Sequence, residues 1–336
     1  MTAEIGIGLQ GDKPPGAYAA LARDAEANGI DVVSVFADLM FQPPLPALLE
    51  IAAATSRVRL GAACFNPFTL HPVEIAGQVA AIDAASHGRA YLGVARGTWL
   101  GAIGVTPPRP LTALGEAAAV VAALLRGDRG GVDGEVFRLA PGTVLRYPVE
   151  RTAVPLLIGT WGRRGGALAG RIAGEVKVGG SANPAMVGVM RSHIAVGAES
   201  VGRDPRSVGI VLGAVTVVDE DGDRARAKAR TEVAMYLDVV AELDPTVEVP
   251  AALLADVRAG LEAGDHEAAG RAIPDDILDR FAFSGTPEHV AGLANAAIAA
   301  GASRVEFGTP HGLTDAGGVS LIGRRVVPLV DRDGGS

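Results

Sequence analysis

Glycine and arginine cluster at one point in the chain, Gly159-Thr160-Trp161-Gly162-Arg163-Arg164-Gly165, between an apolar β-type run and a helical pattern. A helix N-terminus presents unpaired N–H groups and the positive end of its dipole, and glycine lets an anion approach the backbone closely. The segment therefore has the composition of a phosphate cradle, to which Arg163 and Arg164 would add charge-assisted bonds. Taken alone, the same spacing also reads as an ordinary tight turn before a helix. Elsewhere the reactive residue types are dispersed. His71, His87, His193, His266, His289 and His311 show no metal-ligand spacing, there is no H-E-x-x-H and no G-x-S-x-G, and the single cysteine, Cys64, excludes a cysteine-rich metal site. No metal is expected, and nucleophilic catalysis is unsupported. Glu306 is a candidate proton donor on a short strand-like run, with a solvated or salt-bridged carboxylate as the plainer reading.

These residues are positioned by an alternation of β and helical patterns. Strand-like runs fall at Glu4–Leu9, Asp31–Phe36, Val58–Cys64, Ala90–Val94, Val154–Gly159, Val176–Gly179, Val208–Val218 and Arg304–Phe307. Helical patterns begin near Gly16, Pro44 and Pro72 and cover Leu111–Arg126, Gly165–Ala173, Pro184–Ser200, Pro287–Ala300 and Gly318–Val330. Parallel neighbours need a crossover of about a dozen residues or more, which these helices supply. Eight such units predict an α/β fold, a (β/α)8 barrel formed by residues 1–336 as one domain, with chemistry at the C-terminal strand ends. Two insertions are expected: a hairpin at about 128–152, and a helical segment at about 241–282 that continues an unbroken helical reading from Asp219 to about Phe281.

Composition narrows the function classes. Of 336 residues 49% are hydrophobic and only 4% aromatic, which suits a core of small and branched side chains between helices and a parallel sheet. The formal charge of -8, with only three lysines (Lys13, Lys177, Lys228) and no basic stripe, argues against a nucleic-acid partner. No run approaches the roughly 18 apolar residues of a membrane span, and MTAEIGIGLQ lacks the marks of a secretion signal. A cytoplasmic protein is expected.

The strand ends LGAACFNPFTLHP, GRAYLGVARGTW and PLLIGTWGRRGGALAGRIAGEVKVGGSANP, with FAFSGTPEHVAGLANAAIAAGASRVEFGTPHG, resemble the luciferase-like superfamily. Within it the chain looks most like the methylenetetrahydromethanopterin reductases of the coenzyme F420-dependent branch. The resemblance runs from about Ile5 to Val327 and is carried best by Asn66-Pro67-Phe68 with His71-Pro72, and by Leu92-Gly93 after Gly88-Arg89. It implies an oxidoreductase passing hydride to or from F420, with FMN as the alternative cofactor, and it implies self-association as a homodimer or higher homo-oligomer. It further implies a non-prolyl cis peptide at Ala63-Cys64 supporting the ring. Cofactor contacts are implied at Asp38, Asn66, Gly97, Thr98, Gly159, Thr160, Trp161, Gly162, Arg163, Gly179, Gly180 and Ser181, the last three as further backbone and hydroxyl donors.

Three positions depart from the family pattern. Leu39 stands where a histidine follows Asp38, Gly8 where the first strand carries an acid, and Thr98 where an Asp follows the fourth strand. Losing the imidazole removes the obvious general acid. The pocket is therefore expected to be larger and more apolar, lined by Gly8, Leu39, Phe65 and Trp99 with Trp161, and to take a different substrate; packing under loops is the alternative role for the aromatics. Asp38, Thr98 and Glu306 remain the catalytic candidates. A ligand-binding or partner role without catalysis is the reading from a different class.

Overall fold

The computed structural model describes residues 2–334. Strands β1 (Glu4–Leu9), β2 (Val32–Val35), β3 (Arg59–Ala62) and β4 (Leu92–Ala95) are followed by a small antiparallel pair, β5 (Val132–Asp133) and β6 (Arg138–Leu139). Then come β7 (Leu156–Gly159), β8 (Glu175–Gly179), β9 (Gly209–Val218), β10 (Ala282–Gly285) and β11 (Arg304–Gly312). Parallel pairing in the order β3-β2-β1-β11-β9-β8-β7-β4 leaves β3 and β4 at the two ends. Those ends meet: Leu60 bridges to Ala90 and Phe65 to Val94, and the Phe65 N–H donates to the Gly93 carbonyl at 2.9 Å. The sheet closes, and the expected eight-stranded barrel is the fold.

Helices fill the crossovers: α1 (Ala17–Ala27), α2 (Pro44–Ala54), α3 (Pro72–Ala85), α4 (Pro110–Arg126), α5 (Arg163–Ile172), α6 (Ala185–Ser200) and α7 (Gly222–Ala234). Proline occupies the first helical position of α2, α3 and α4, where no intrahelical N–H is lost. The β5–β6 turn is held by one side chain, since the Glu116 carboxylate of α4 accepts the N–H groups of Glu135, Val136 and Phe137 at 2.7–2.8 Å.

The structure differs from the sequence reading in the last third of the chain. In place of one unbroken helix, α8 (Leu237–Leu243), α9 (Ala251–Glu262), α10 (His266–Arg271) and α11 (Asp275–Phe281) follow α7 with turns between them. They pack with α7 around a separate apolar cluster that includes Val233, Leu237, Val257 and Phe281. Ala282–Gly285 is a strand, beside Val215–Val218 of β9; four residues are too few to reveal a period. β11 runs past Phe307 to Gly312, with an irregularity between Gly308 and His311. After α12 (Pro287–Ala299) and β11, the C-terminal helix is α13 (Asp315–Leu321) continued by a π turn at Ile322–Val326 and a short 3-10 turn.

Strand alternation fills the barrel interior in layers. At the N-terminal floor Arg59 bridges Glu4 at 2.6 Å and Glu175 at 3.1 Å, above which the fully buried Arg304 reaches toward Tyr91. Val32, Tyr91, Leu157 and Val211 form the middle layer, with Cys64 packed against them. Ser34, Lys177 and Glu306 lie on the same interior face one step nearer the mouth, so the interior is polar beneath the C-terminal strand ends.

Candidate active site

At the end of β3 the chain turns through a cis Ala63–Cys64 peptide. The Cys64 sulfur faces β7, where a Cβ on Gly159 would lie 3.2 Å from it. Burial pushes the Cys64 thiol up to about 12, with Lys177 opposing, so the sulfur is a neutral packing group. Folded protein at pH 8 is therefore expected to resist iodoacetamide, with labelling by mass spectrometry rising to completion only in denaturant; rapid alkylation of the native chain would contradict this environment.

Phe65, expected as a pocket wall, belongs to the core instead. Its backbone follows β4, which turns the ring outward among the apolar side chains between barrel and helices, where it is 2% exposed. Asn66 is buried and accepts the Phe68 N–H at 2.9 Å. Gly97 closes over it with φ of 78°, and a Cβ there would lie 2.2 Å from the Asn66 amide nitrogen, so both the conformation and the space require glycine. These two predicted residues are brought together. Thr98 and Trp99 are not: both stand exposed on the following loop, and Trp99, 57% exposed, forms no wall.

The segment expected as an anion cradle forms an uncapped helix start. α5 starts at Arg163, two residues earlier than the helical pattern suggested, and its N-cap Gly162 offers no side-chain cap. The N–H groups of Arg163, Arg164 and Gly165 find no acceptor among the described residues. Trp161 folds back so that its indole N–H donates to the Gly179 carbonyl at 2.9 Å, and the Thr160 N–H donates to the Lys177 carbonyl at 3.0 Å. The second expected donor set is corrected by the structure. Gly180 and Ser181 both give their N–H to the Gly213 carbonyl, at 2.6 and 3.1 Å, because the end of β8 wraps onto β9. Ser181 is fully buried, and its hydroxyl oxygen accepts the Asn183 N–H.

Asp38 lies at the mouth beside Gln10, whose amide donates to it at 3.3 Å. Burial raises the Asp38 carboxyl, with Gln10 and the Lys177 charge pulling the other way. Leu39, half-buried, follows it. The space beside Gly8 is already filled: a Cβ there would lie 2.4 Å from the Phe36 ring, so the missing acid does not enlarge the pocket.

Nor is the pocket floor apolar. Glu306 is 1% exposed and ion-paired with Lys177, while the Ser34 hydroxyl donates to its other oxygen at 2.7 Å and shares a 2.7 Å hydrogen bond with Tyr91. Burial alone would raise the Glu306 carboxyl, but the Lys177 and Arg304 charges and the two hydrogen bonds hold it below its ordinary value. Glu306 is thus an ionised partner and not a proton donor. Sequence reasoning missed Lys177, Ser34 and Tyr91. The available signal was a lysine inside the apolar run Val176–Gly179, facing a Glu inside Arg304–Phe307.

His311, at the end of β11, is fully buried, with Asp315 4.0 Å away. Burial pushes its imidazole down to about 4. The unfolded chain therefore binds this proton near 6.5 and the folded chain only near 4, so stability present above pH 6.5 is lost as pH falls toward 4. Urea midpoints across that window should fall for the native chain and fall less for His311→Asn; equal slopes would refute the assignment.

Residues 1–304 match the family model described as luciferase-like monooxygenase. The chain belongs to this family. It is 30% identical over 314 residues to the 5,10-methylenetetrahydromethanopterin reductase of Archaeoglobus fulgidus, covering 90% of this chain and 92% of that one. The corresponding enzyme of Methanolobus tindarius is 27% identical over 316 residues, 91% and 94% of the two chains. The solved structure of the coenzyme F420-dependent tetrahydromethanopterin reductase from Methanopyrus kandleri superposes with a TM-score of 0.90 at 25% identity, covering 98% of this chain and all of that one. In this luciferase-like barrel the α5 N-terminus and the Cys64 turn lie at the C-terminal ends of their strands, with the Lys177–Glu306 pair in the interior beneath them. Among the described residues no helix is long and apolar enough to cross a membrane.

Proposed function

We propose that the chain is a coenzyme F420-dependent oxidoreductase that transfers hydride between the deazaflavin and a C=N, C=C or C=O bond of a small organic substrate. The observation that carries the reading is the uncapped α5 N-terminus, with three unspent amides beside Arg163 and Arg164, at the strand end that also contacts Cys64. It is joined by the resemblance, over nine-tenths of the chain, to reductases of which one is named as F420-dependent.

When bound, the deazaflavin supplies the hydride chemistry. Arg163, Arg164 and the first α5 amides bind its phosphate, and the Ala63–Cys64 turn with Asn66 and Gly97 supports the ring. Phe36 and Leu39 keep water from the reacting face, and Asp38, tethered by Gln10, orients polar groups at the rim. Because Leu39 brings no imidazole, the substrate differs from that of the named reductases. Fluorescence titration of the purified protein with F420 and separately with FMN tests the reading: saturable F420 binding, weakened at least tenfold by a double Arg163→Ala, Arg164→Ala variant, is expected, at about 1.4 kcal/mol per factor of ten. Tight FMN binding without F420 binding would sink it.

A further inference from the structure

Lys177 lies under the mouth with hydrogen-bonding capacity to spare. An ammonium carries three N–H donors. Glu306 takes one, and among the described residues the others meet no hydrogen-bond acceptor. The side chain is 8% exposed, and its nitrogen sits 4.9 Å from the centre of the Phe36 ring, with its charge felt at Asp38 and Cys64. All three neighbours belong to the mouth. Glu306 meets the ammonium through one oxygen only, and its other oxygen accepts from Ser34. A buried ion pair is on its own no more stabilising than a well-packed apolar pair, so the fold gives no reason to retain a lysine here.

We infer that Lys177 holds the negative charge that a bound deazaflavin ring gains on reduction, an inference that rests on the proposed function. Hydride arriving at the ring carbon from the organic substrate brings two electrons and one proton. A ring that is neutral when oxidised is then left with one negative charge, spread over its nitrogen–carbonyl edge. The ammonium donates a hydrogen bond to that edge and keeps its own proton.

The test compares dissociation constants of oxidised and reduced coenzyme F420 for the native chain, Lys177→Met and Lys177→Arg. Lys177→Met should weaken the reduced form about tenfold more than the oxidised form, equivalent to a potential about 30 mV more negative for a two-electron couple. Lys177→Arg, which keeps the charge, should stay within about threefold of the native ratio. A second readout uses the unmutated protein. With only three lysines, 13C labelling at the lysine ε-carbon resolves each of them. Reduced coenzyme should move the Lys177 resonance, while Lys13, held by Asp12 and Asp315, and Lys228, on the Leu313 carbonyl, stay in place. A native ratio in Lys177→Met, or a Lys177 resonance blind to the redox state, overturns the inference and leaves the cofactor assignment standing. Failure of the native chain to bind either form overturns both.

Discussion

Glu306→Ala is expected to destabilise the protein by about 3–5 kcal/mol, because it strands the Lys177 charge inside the barrel with no counter-ion. Ser34 loses its carboxylate acceptor in the same substitution and keeps only Tyr91 as a partner. The double variant Lys177→Met, Glu306→Leu should recover most of the loss, since apolar side chains of similar volume pay no desolvation cost for charge. Urea denaturation of the two variants measures the contrast. Equal destabilisation by both would mean that packing, and not charge, governs the site. The pH dependence has a defined sign. The Glu306 carboxyl is depressed in the folded state, so its stabilisation is present above its ordinary value of 4.5 and is lost as pH falls through the lower folded value. That loss begins where the window assigned to His311 ends, and the single-site variants separate the two.

The second large effect is expected in a helix pair that never touches the reacting atoms. A Cβ on Gly197 of α6 would lie 1.7 Å from the Ala167 carbonyl oxygen of α5, and one on Gly170 would lie 2.2 Å from the Ile194 carbonyl oxygen. Backbone meets backbone here, so no side-chain rotation relieves the clash. Gly197→Ala should cost roughly 3 kcal/mol, at the upper end of overpacking penalties, as the helices move apart. Because α5 carries the unspent amides of Arg163 to Gly165, the shift also displaces the anion cradle. The expected signature is a lowered urea midpoint together with weaker F420 binding, whereas Gly188→Ala, on the open face of α6, lowers neither. Normal binding by Gly197→Ala at full occupancy of the folded state would uncouple this packing from the cradle.

The barrel itself was legible in the sequence because its signals are local. Apolar strand runs alternating with helical patterns, and prolines at Pro44 and Pro72, act within a dozen residues, and a parallel sheet with seven crossovers leaves little topological choice. The phosphate-type segment at Gly159–Gly165 was legible for the same reason, since a helix N-terminus is made by contiguous residues. The interior of the mouth was not. Whether Glu306 is a proton donor or an ion partner depends on Lys177, 129 residues away in sequence, and the space beside Gly8 is filled by Phe36 from another strand. Gly180 and Ser181 carry donor groups in any sequence reading, yet the Gly213 carbonyl consumes them. Local sequence therefore determined the scaffold and the uncapped start of α5. Barrel closure decided which polar groups under the mouth are paired and which remain free, because pairing across a barrel depends on distances that no local pattern encodes.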